Sequence, residues 1–158
     1  MYLGGILSLA ILAPNLLMFL FPPTSIPESA AAKSSVGRGM AVAERIGQIG
    51  TFAMPFFYRL SRPVGTVAMT SLATMVVTVT IYYACWVRYV RRGREYGLLF
   101  APLGPLPLPM ALLPMAYFVA MSAFLSSPYL LTAALLFAAG HVYMSKQELA
   151  RSRATSQP

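Results

Sequence analysis

The sequence predicts an all-α fold, a polytopic bundle of five transmembrane helices forming one domain over residues 1–150, with a polar tail over 151–158. Three observations carry this prediction. Of the 158 residues, 58% are apolar and 10% charged, against about 45–50% and about 25% in an ordinary globular domain. A soluble domain of this size cannot hide so much apolar surface. Five stretches approach the roughly 20 apolar residues that cross a bilayer core of about 30 Å as a helix. Finally, the cations segregate to one side of the resulting topology.

The first span is Leu3–Phe21, which stops at Pro22-Pro23. Pro14 lies inside it and should kink it, because proline removes a hydrogen bond and crowds the preceding turn. Ser29-Ala30-Ala31-Ala32 offers a signal-peptide alternative. No Lys or Arg precedes the apolar run, however, and the run is longer than an ordinary signal core of about 7–15 residues, so it reads as a retained helix. Pro22–Gly39, rich in Pro, Ser, Ala and Gly, reads as a loop.

The second span, 44–60, is short and holds Gln48 and Pro55. Its alternative is an amphipathic helix lying in the interface, which leaves four spanning helices and one interfacial one. Ile46, Ile49, Phe52, Ala53, Met54, Phe56 and Phe57 cover its circumference, whereas a surface helix shows one polar face. Ser61-Arg62-Pro63 links it to the third span, 64–87, which is uncharged and ends in Tyr82, Tyr83 and Trp86, aromatics suited to a headgroup interface. Arg88–Glu95 follows as a basic loop. Pro102, Pro105, Pro107 and Pro109 predict an extended, polyproline-like entry into the fourth span, 106–125, where Pro114 is a second internal kink. Ser126-Ser127-Pro128 is a tight turn with Pro128 at the first helical position. The fifth span, 128–145, runs on through Lys146-Gln147-Glu148. No internal repeat is visible, so the inverted-repeat signature of secondary transporters is missing.

Orientation decides the helix count. With five spans, Lys33, Arg38, Arg45, Arg88, Arg91, Arg92, Arg94, Lys146, Arg151 and Arg153 share one side and Arg59 and Arg62 the other, ten against two. That is a strong positive-inside pattern. Without a crossing at 44–60 the split is five against seven and carries no orientation. The expected topology therefore places the N-terminus outside and the C-terminus in the cytosol. Arg outnumbers Lys ten to two, and Ala, Gly and Pro are abundant. This composition fits a GC-rich bacterial sequence and so a bacterial inner membrane.

The chemistry-bearing inventory is thin. One cysteine, Cys85, excludes an internal disulfide and a cysteine-built zinc site, and in an apolar helix it reads as a packing residue. The acids are Glu28, Glu44, Glu95 and Glu148, there is no Asp, and His141 is the sole histidine. Metal sites need three or four such ligands, so neither a metal nor a cofactor is expected. There is no Gly-rich phosphate loop and no Gly-x-Ser-x-Gly turn. The net charge of +8 rests on few charges among long apolar runs, which suggests anionic lipid headgroups rather than nucleic acid.

One constellation remains. Glu44, Arg45 and Gln48 start the second helix at the cytosolic side, Arg88 and Glu95 follow the third there, and His141 lies about one turn inside the end of the fifth. His141 with Glu44 or Glu95 would serve as a catalytic base and its orienter, with Glu44 the preferred partner in a polar pair. Arg45, Arg88, Arg91 and Arg92 would hold a phosphate or an anionic headgroup. The plainer reading makes Glu44 and Arg45 a helix-end anchor, the basic loop a topology signal, and His141 a packing residue. Thr66, Thr70, Thr74 and Thr78 share one helix face, read as a close-packing face or as the polar lining of a groove. Each hydroxyl can also bond its own i−4 carbonyl.

Three functions compete. The first is a non-catalytic subunit or lipid-binding partner of a larger membrane assembly, with a membrane protein or a second copy as partner. The second is a membrane enzyme acting on a lipid or isoprenoid at the cytosolic leaflet through Glu44, Glu95 and His141. The third and weakest is a transporter or channel, since no acid or base lies near the middle of any span.

Overall fold

The protein is all-α with five helices, seen in a computed structural model that describes residues 3–24, 35–58 and 65–155. Helix α1 runs from Leu3–Leu12 through a 3-10 turn, Ala13–Leu16, into a last α-turn, Leu17–Leu20. The interruption falls at Pro14, whose ring supplies no N–H for the α-helical ladder. Helix α2 is Ser35–Ala53, closed by a 3-10 turn over Met54–Phe57 at Pro55. Helix α3 is Thr66–Arg91, α4 is Pro109–Phe124 and α5 is Pro128–Thr155.

Several boundaries differ from the expected ones. Helix α2 begins at Ser35, within the stretch read as loop, and ends its regular turns at Ala53. Gly37 and Gly39 lie inside this helix although glycine lowers helix propensity by about 1 kcal/mol. Arg88 and Arg91 belong to the last turn of α3, which stops when Gly93 takes φ +81° and Arg94 N–H reaches back to the Tyr89 carbonyl at 3.1 Å. The proline-rich entry is not extended. Leu103 and Leu106 exchange two backbone hydrogen bonds around Gly104 at φ +57°, a tight turn, and the helix starts only at Pro109. Pro114 lies inside a continuous α4. Helix α5 continues through most of the stretch read as a tail. At its start Ser127 Oγ accepts the Leu130 N–H at 3.1 Å, capping the helix ahead of Pro128. The signal-like Ser29–Ala32 segment, Glu28, Lys33, Arg59 and the Ser61-Arg62-Pro63 link lie outside the described residues.

The helices alternate in direction. One end of the bundle gathers Gly4 against Pro55, and the Tyr58 and Ser127 hydroxyls against each other. The other end gathers the Tyr89 hydroxyl on the Phe21 carbonyl at 3.1 Å, Gly140 against Met40 and Glu44, and the Tyr96 hydroxyl on Glu148 at 3.2 Å. Every cation whose side chain is described (Arg38, Arg45, Arg88, Arg91, Arg92, Arg94, Lys146 and Arg151) sits toward this second end. Helix α4 is the central element, buried between α3 and α5, and α2 packs along α5. The core runs through Met75, Tyr89, Phe118, Met121, Leu130 and Ala134, all at most 1% exposed.

Two helices, Thr66–Arg91 and Pro128–Ser152, are long and apolar enough to cross a membrane, while Gly4–Leu20 and Pro109–Phe124 are apolar but shorter. Helix α2, with Arg38, Glu44, Arg45 and Gln48, does not reach that standard.

Most of the threonine row does not pack against the described residues. Thr66, Thr70 and Thr74 are exposed, and only Thr78 is buried. Thr70, Thr74 and Thr78 donate to the carbonyls of Thr66, Thr70 and Thr74 at 2.7–2.9 Å, so each hydroxyl is satisfied by its own helix. The inward face of α3 is instead Ala68, Ser71, Met75, Tyr82 and Tyr89. Thr74→Leu should therefore leave the melting temperature in detergent unchanged. Its neighbour Met75, 1% exposed, should lose about 2–5 kcal/mol on replacement by Ala.

Close approach dominates the α2–α5 contact. A Cβ on Gly47 would stand 2.2 Å from the Phe137 backbone N, and one on Gly140 would stand 2.5 Å from the Met40 carbonyl oxygen. Backbone atoms cannot swing aside, so Gly47→Ala or Gly140→Ala should cost about 1–3 kcal/mol or more by forcing the helices apart. Gly39→Ala meets nothing within 4 Å and should stabilise α2 by up to about 1 kcal/mol. Chemical or thermal unfolding of the three variants checks the opposite signs.

Candidate functional site

The absence of side chains at Gly47 and Gly140 lets α2 and α5 meet backbone to backbone, and this delivers Glu44 to His141. Nδ1 of His141 lies 2.7 Å from Oε1 of Glu44, with the two side chains 32% and 22% exposed. The Phe137 ring, one turn earlier on α5, lies against the imidazole with ring centres 5.2 Å apart and planes tilted by 44°. A carboxylate can only accept, so Nδ1 carries the proton of this bond. In the neutral ring Nε2 then keeps its lone pair. Such an imidazole can accept a hydrogen bond or a proton at Nε2, and can donate there once protonated.

His141 lines two adjoining, partly open pockets among the helices, a larger lobe of about 310 Å³ and a smaller one of about 220 Å³. Asn15, Met18, Tyr82, Trp86, Met110 and His141 line both lobes and so form the waist between them. The larger lobe is walled mainly by apolar side chains such as Phe52, Phe118 and Phe137, with Gln48 as its additional polar group, and every one of the five helices contributes to it. The smaller lobe reaches Leu99, Phe100, Ala111 and Ser145. At the waist the Tyr82 hydroxyl donates to Asn15 Oδ1. Trp86 stands edge-on to both Tyr82 and Tyr89, with ring centres 6.3 and 5.6 Å away, and its Nε1 makes no hydrogen bond to a described residue.

The structure separates the other expected site residues from this pair. Glu95 is exposed at the start of the 3-10 turn Tyr96–Leu99 and makes no described contact with His141. The turn it opens packs on α5, with Tyr96 on Glu148 and Leu99 in the wall of the smaller lobe, but Glu95 itself lines neither lobe. Arg88 donates from Nη1 to the Pro102 carbonyl at 2.9 Å and so holds the loop before α4. Arg45, Arg91 and Arg92 are exposed, and no described contact joins Arg45 on α2 to the arginines of α3. Tyr82 and Trp86, expected at the headgroup interface, are each 3% exposed and belong to the cavity wall. Tyr83 alone of the three faces outward, its hydroxyl donating to the Ala10 carbonyl at 2.9 Å. Cys85 is buried. Among the described residues no three His, Cys, Asp or Glu side chains come together.

Asn15, Glu148 and the paired glycines were not singled out from the sequence. Gly140 directly precedes the sole histidine and Gly47 lies one turn beyond Glu44, and that placement is the one available signal. Glu148 closes the charged end of the bundle. Its Oε2 accepts the Tyr96 hydroxyl at 3.2 Å and its Oε1 accepts from Arg151 at 2.7 Å. Burial first, and then the charge of Glu148 and the hydrogen bond to it, push Tyr96 up to about 12 from an ordinary value of 10.0, with Arg151 pulling the other way. The folded state thus holds the phenolic proton more tightly than the unfolded chain does. This stabilisation is complete below about pH 10 and is lost as the pH rises through about 12. Tyr96→Phe should remove that alkaline step from the pH dependence of unfolding. The difference in tyrosinate absorbance between wild type and variant should titrate near the raised value.

Compared with protein-family models, with curated proteins and with solved structures, the chain matches none, so the functional reading rests on this geometry.

Proposed function

We propose that the chain is an integral membrane protein with five spans, its N-terminus outside and its C-terminus in the cytosol of a bacterial cell, which holds a membrane lipid in its central cavity as a non-catalytic partner of a larger membrane assembly. The observation that carries this reading is the cavity itself, an apolar space with a few polar groups gathered at one level and walls drawn from all five helices. Small-molecule sites in bundles have this character.

The exterior supports the membrane part of the reading. A core helix of a soluble protein is mostly buried, yet only 28% of the apolar window in α3 and 33% of that in α5 is buried. Phe19, Phe57 and Tyr129 are 84%, 81% and 72% exposed. With the cations toward one end, this surface suits a lipid environment with anionic headgroups at the cytosolic face. Helix α5 has 28 residues, about 42 Å of helix, so it crosses a core of about 30 Å and projects beyond it. Helix α2 is the weak span; Glu44 pairs with His141 of α5 and Gln48 lines the larger lobe, while the exposed Arg38 and Arg45 lie toward the charged end.

A second reading is favoured by one observation, the carboxylate-held imidazole on the cavity wall. A membrane enzyme would use His141 as general base with Glu44 orienting it, and without Glu95.

Purification from native membrane followed by mass spectrometry of bound lipid tests the main reading. One lipid enriched well above its share of the bulk membrane is the expected result, and a bound fraction with bulk composition overturns it. His141→Gln should keep a donor toward Glu44 and retain the lipid. Lipid retention with loss of a turnover seen in the wild type would move the assignment to the enzyme. Orientation is checked by labelling Ser152→Cys in a Cys85→Ala background. Labelling from the cytosolic side alone is expected, and labelling from outside overturns the topology.

A further inference from the structure

The two lobes differ in the polar atoms their walls leave open, and the difference gives the bound lipid a direction. We infer that the smaller lobe is the polar end of the site and takes the hydroxyl of a long-chain alcohol between His141 Nε2 and Ser145 Oγ, with the hydrocarbon chain in the larger lobe. The inference rests on the lipid-binding reading above and names the class of its ligand.

Ser145 stands one turn beyond His141 on α5, and residues four apart share a helix face. Both side chains line the smaller lobe. A serine or threonine in a helix commonly satisfies itself on a carbonyl of the preceding turn, as Thr70, Thr74, Thr78 and Ser122 do. Ser145 does not. It is 5% exposed, and its Oγ makes no hydrogen bond to a described residue. Ser8 Oγ and Trp86 Nε1 are also unpaired but are sealed from contact. Ser145 Oγ keeps an opening, and the lobe is what the side chain borders.

His141 supplies the second atom. Its Nδ1 is held by Glu44, while Nε2 makes no hydrogen bond to a described residue and is not sealed. A ligand at Nε2 must bring a proton when the ring is neutral and a lone pair when it is protonated. A hydroxyl brings both, and turns about its C–O bond to suit. An ether or an ester carbonyl serves the protonated ring alone. Ser145, itself donor and acceptor, takes the other bond of the same hydroxyl in either state. A largely buried polar atom costs free energy until it is bonded, so the ligand completes what the protein leaves unmade.

The larger lobe receives the other end of the molecule. Phe52, Phe118 and Phe137 wall it. Its volume of about 310 Å³ is at the low end of the roughly 300–1,000 Å³ of small-molecule pockets, a space for one chain rather than two. The smaller lobe lies toward the charged end, since Ser145 precedes by three residues the Glu148 that accepts the Tyr96 hydroxyl there. The ligand hydroxyl is thus directed toward the headgroups and the chain toward the hydrocarbon.

Trp86 is the only tryptophan in the chain and lines both lobes, so its emission reports on this site. The test titrates the purified full chain, in detergent, with a bromine-labelled straight-chain alcohol, whose bromine quenches indole on contact. The competitors are the unlabelled alcohol, its methyl ether, and an isoprenoid alcohol of the same chain length, all on a scale of mole fraction in the micelle. Saturable quenching reversed by either alcohol is expected, with the ether weaker by about tenfold or more, the scale of one well-made hydrogen bond. The stronger alcohol tells whether the source is a fatty or an isoprenoid one. An ether as effective as its alcohol overturns this inference and leaves lipid binding standing. No saturable quenching overturns both. Ser145→Ala breaks no bond within the protein, so it should melt no lower than wild type, and its preference for alcohol over ether should fall about threefold or more with ether binding unchanged. His141→Asn keeps an N–H toward Glu44 and leaves nothing at the place of Nε2, so it should lose most of that preference. Either variant, folded and with the full preference, overturns the placement of the hydroxyl. Should His141→Asn fail to fold, Ser145→Ala and the wild-type titration decide.

Discussion

The close approach of α2 and α5 is the constraint on which the rest of the site depends. Gly47 and Gly140 each present bare backbone to the opposite helix at distances no side chain would permit. At that spacing the carboxylate of Glu44 reaches the imidazole of His141 directly. Were the helices at an ordinary separation of about 8–10 Å, both polar groups would have to find other partners in apolar surroundings. The pairing also sets the tautomer of the ring, because a carboxylate at Nδ1 demands a proton there. One packing contact thereby decides the protonation pattern on the cavity wall.

The remaining helices complete the space that this contact opens. Helix α4, the most deeply buried, supplies Met110 and Phe118. Helix α1 runs from one end of the bundle to the other, its 3-10 interruption at Pro14 placing Asn15 where the Tyr82 hydroxyl reaches it. A regular helix through Pro14 would turn Asn15 to another azimuth, so the proline break and the polar waist are linked. At the charged end Arg88, Tyr96, Glu148 and Arg151 tie the α3–α4 connection to the adjoining ends of α3 and α5 by hydrogen bonds. The arginines there serve the fold, or the surface, more than the cavity.

The outside of the bundle follows a different rule. The Thr70, Thr74 and Thr78 hydroxyls are turned back onto their own helix, which removes their need for water or for a partner. A row of threonines so satisfied presents methyl groups outward and behaves as apolar surface. The same reasoning explains why the row is neither a packing face within the chain nor a lining of the cavity.

The sequence by itself determined the all-α class, the number of helices, the break at Pro14, the helix start at Pro128 and the gathering of cations toward one end. Each of these is set by local chemistry, by apolar run length, proline geometry or charge order, and needs no partner element to be read. It also narrowed the polar chemistry to His141 and a glutamate, since there was so little else to choose from. The tertiary structure alone decided that the glutamate at His141 is Glu44 and that Glu95 stands apart. It alone turned Tyr82 and Trp86 inward to a cavity, left the threonine row exposed, and extended α2 back to Ser35. The physical reason is that helix periodicity tells which residues share a face but not which face meets which. That choice is made by the closeness two backbones can reach, here by two glycines whose importance lies entirely in what stands opposite them.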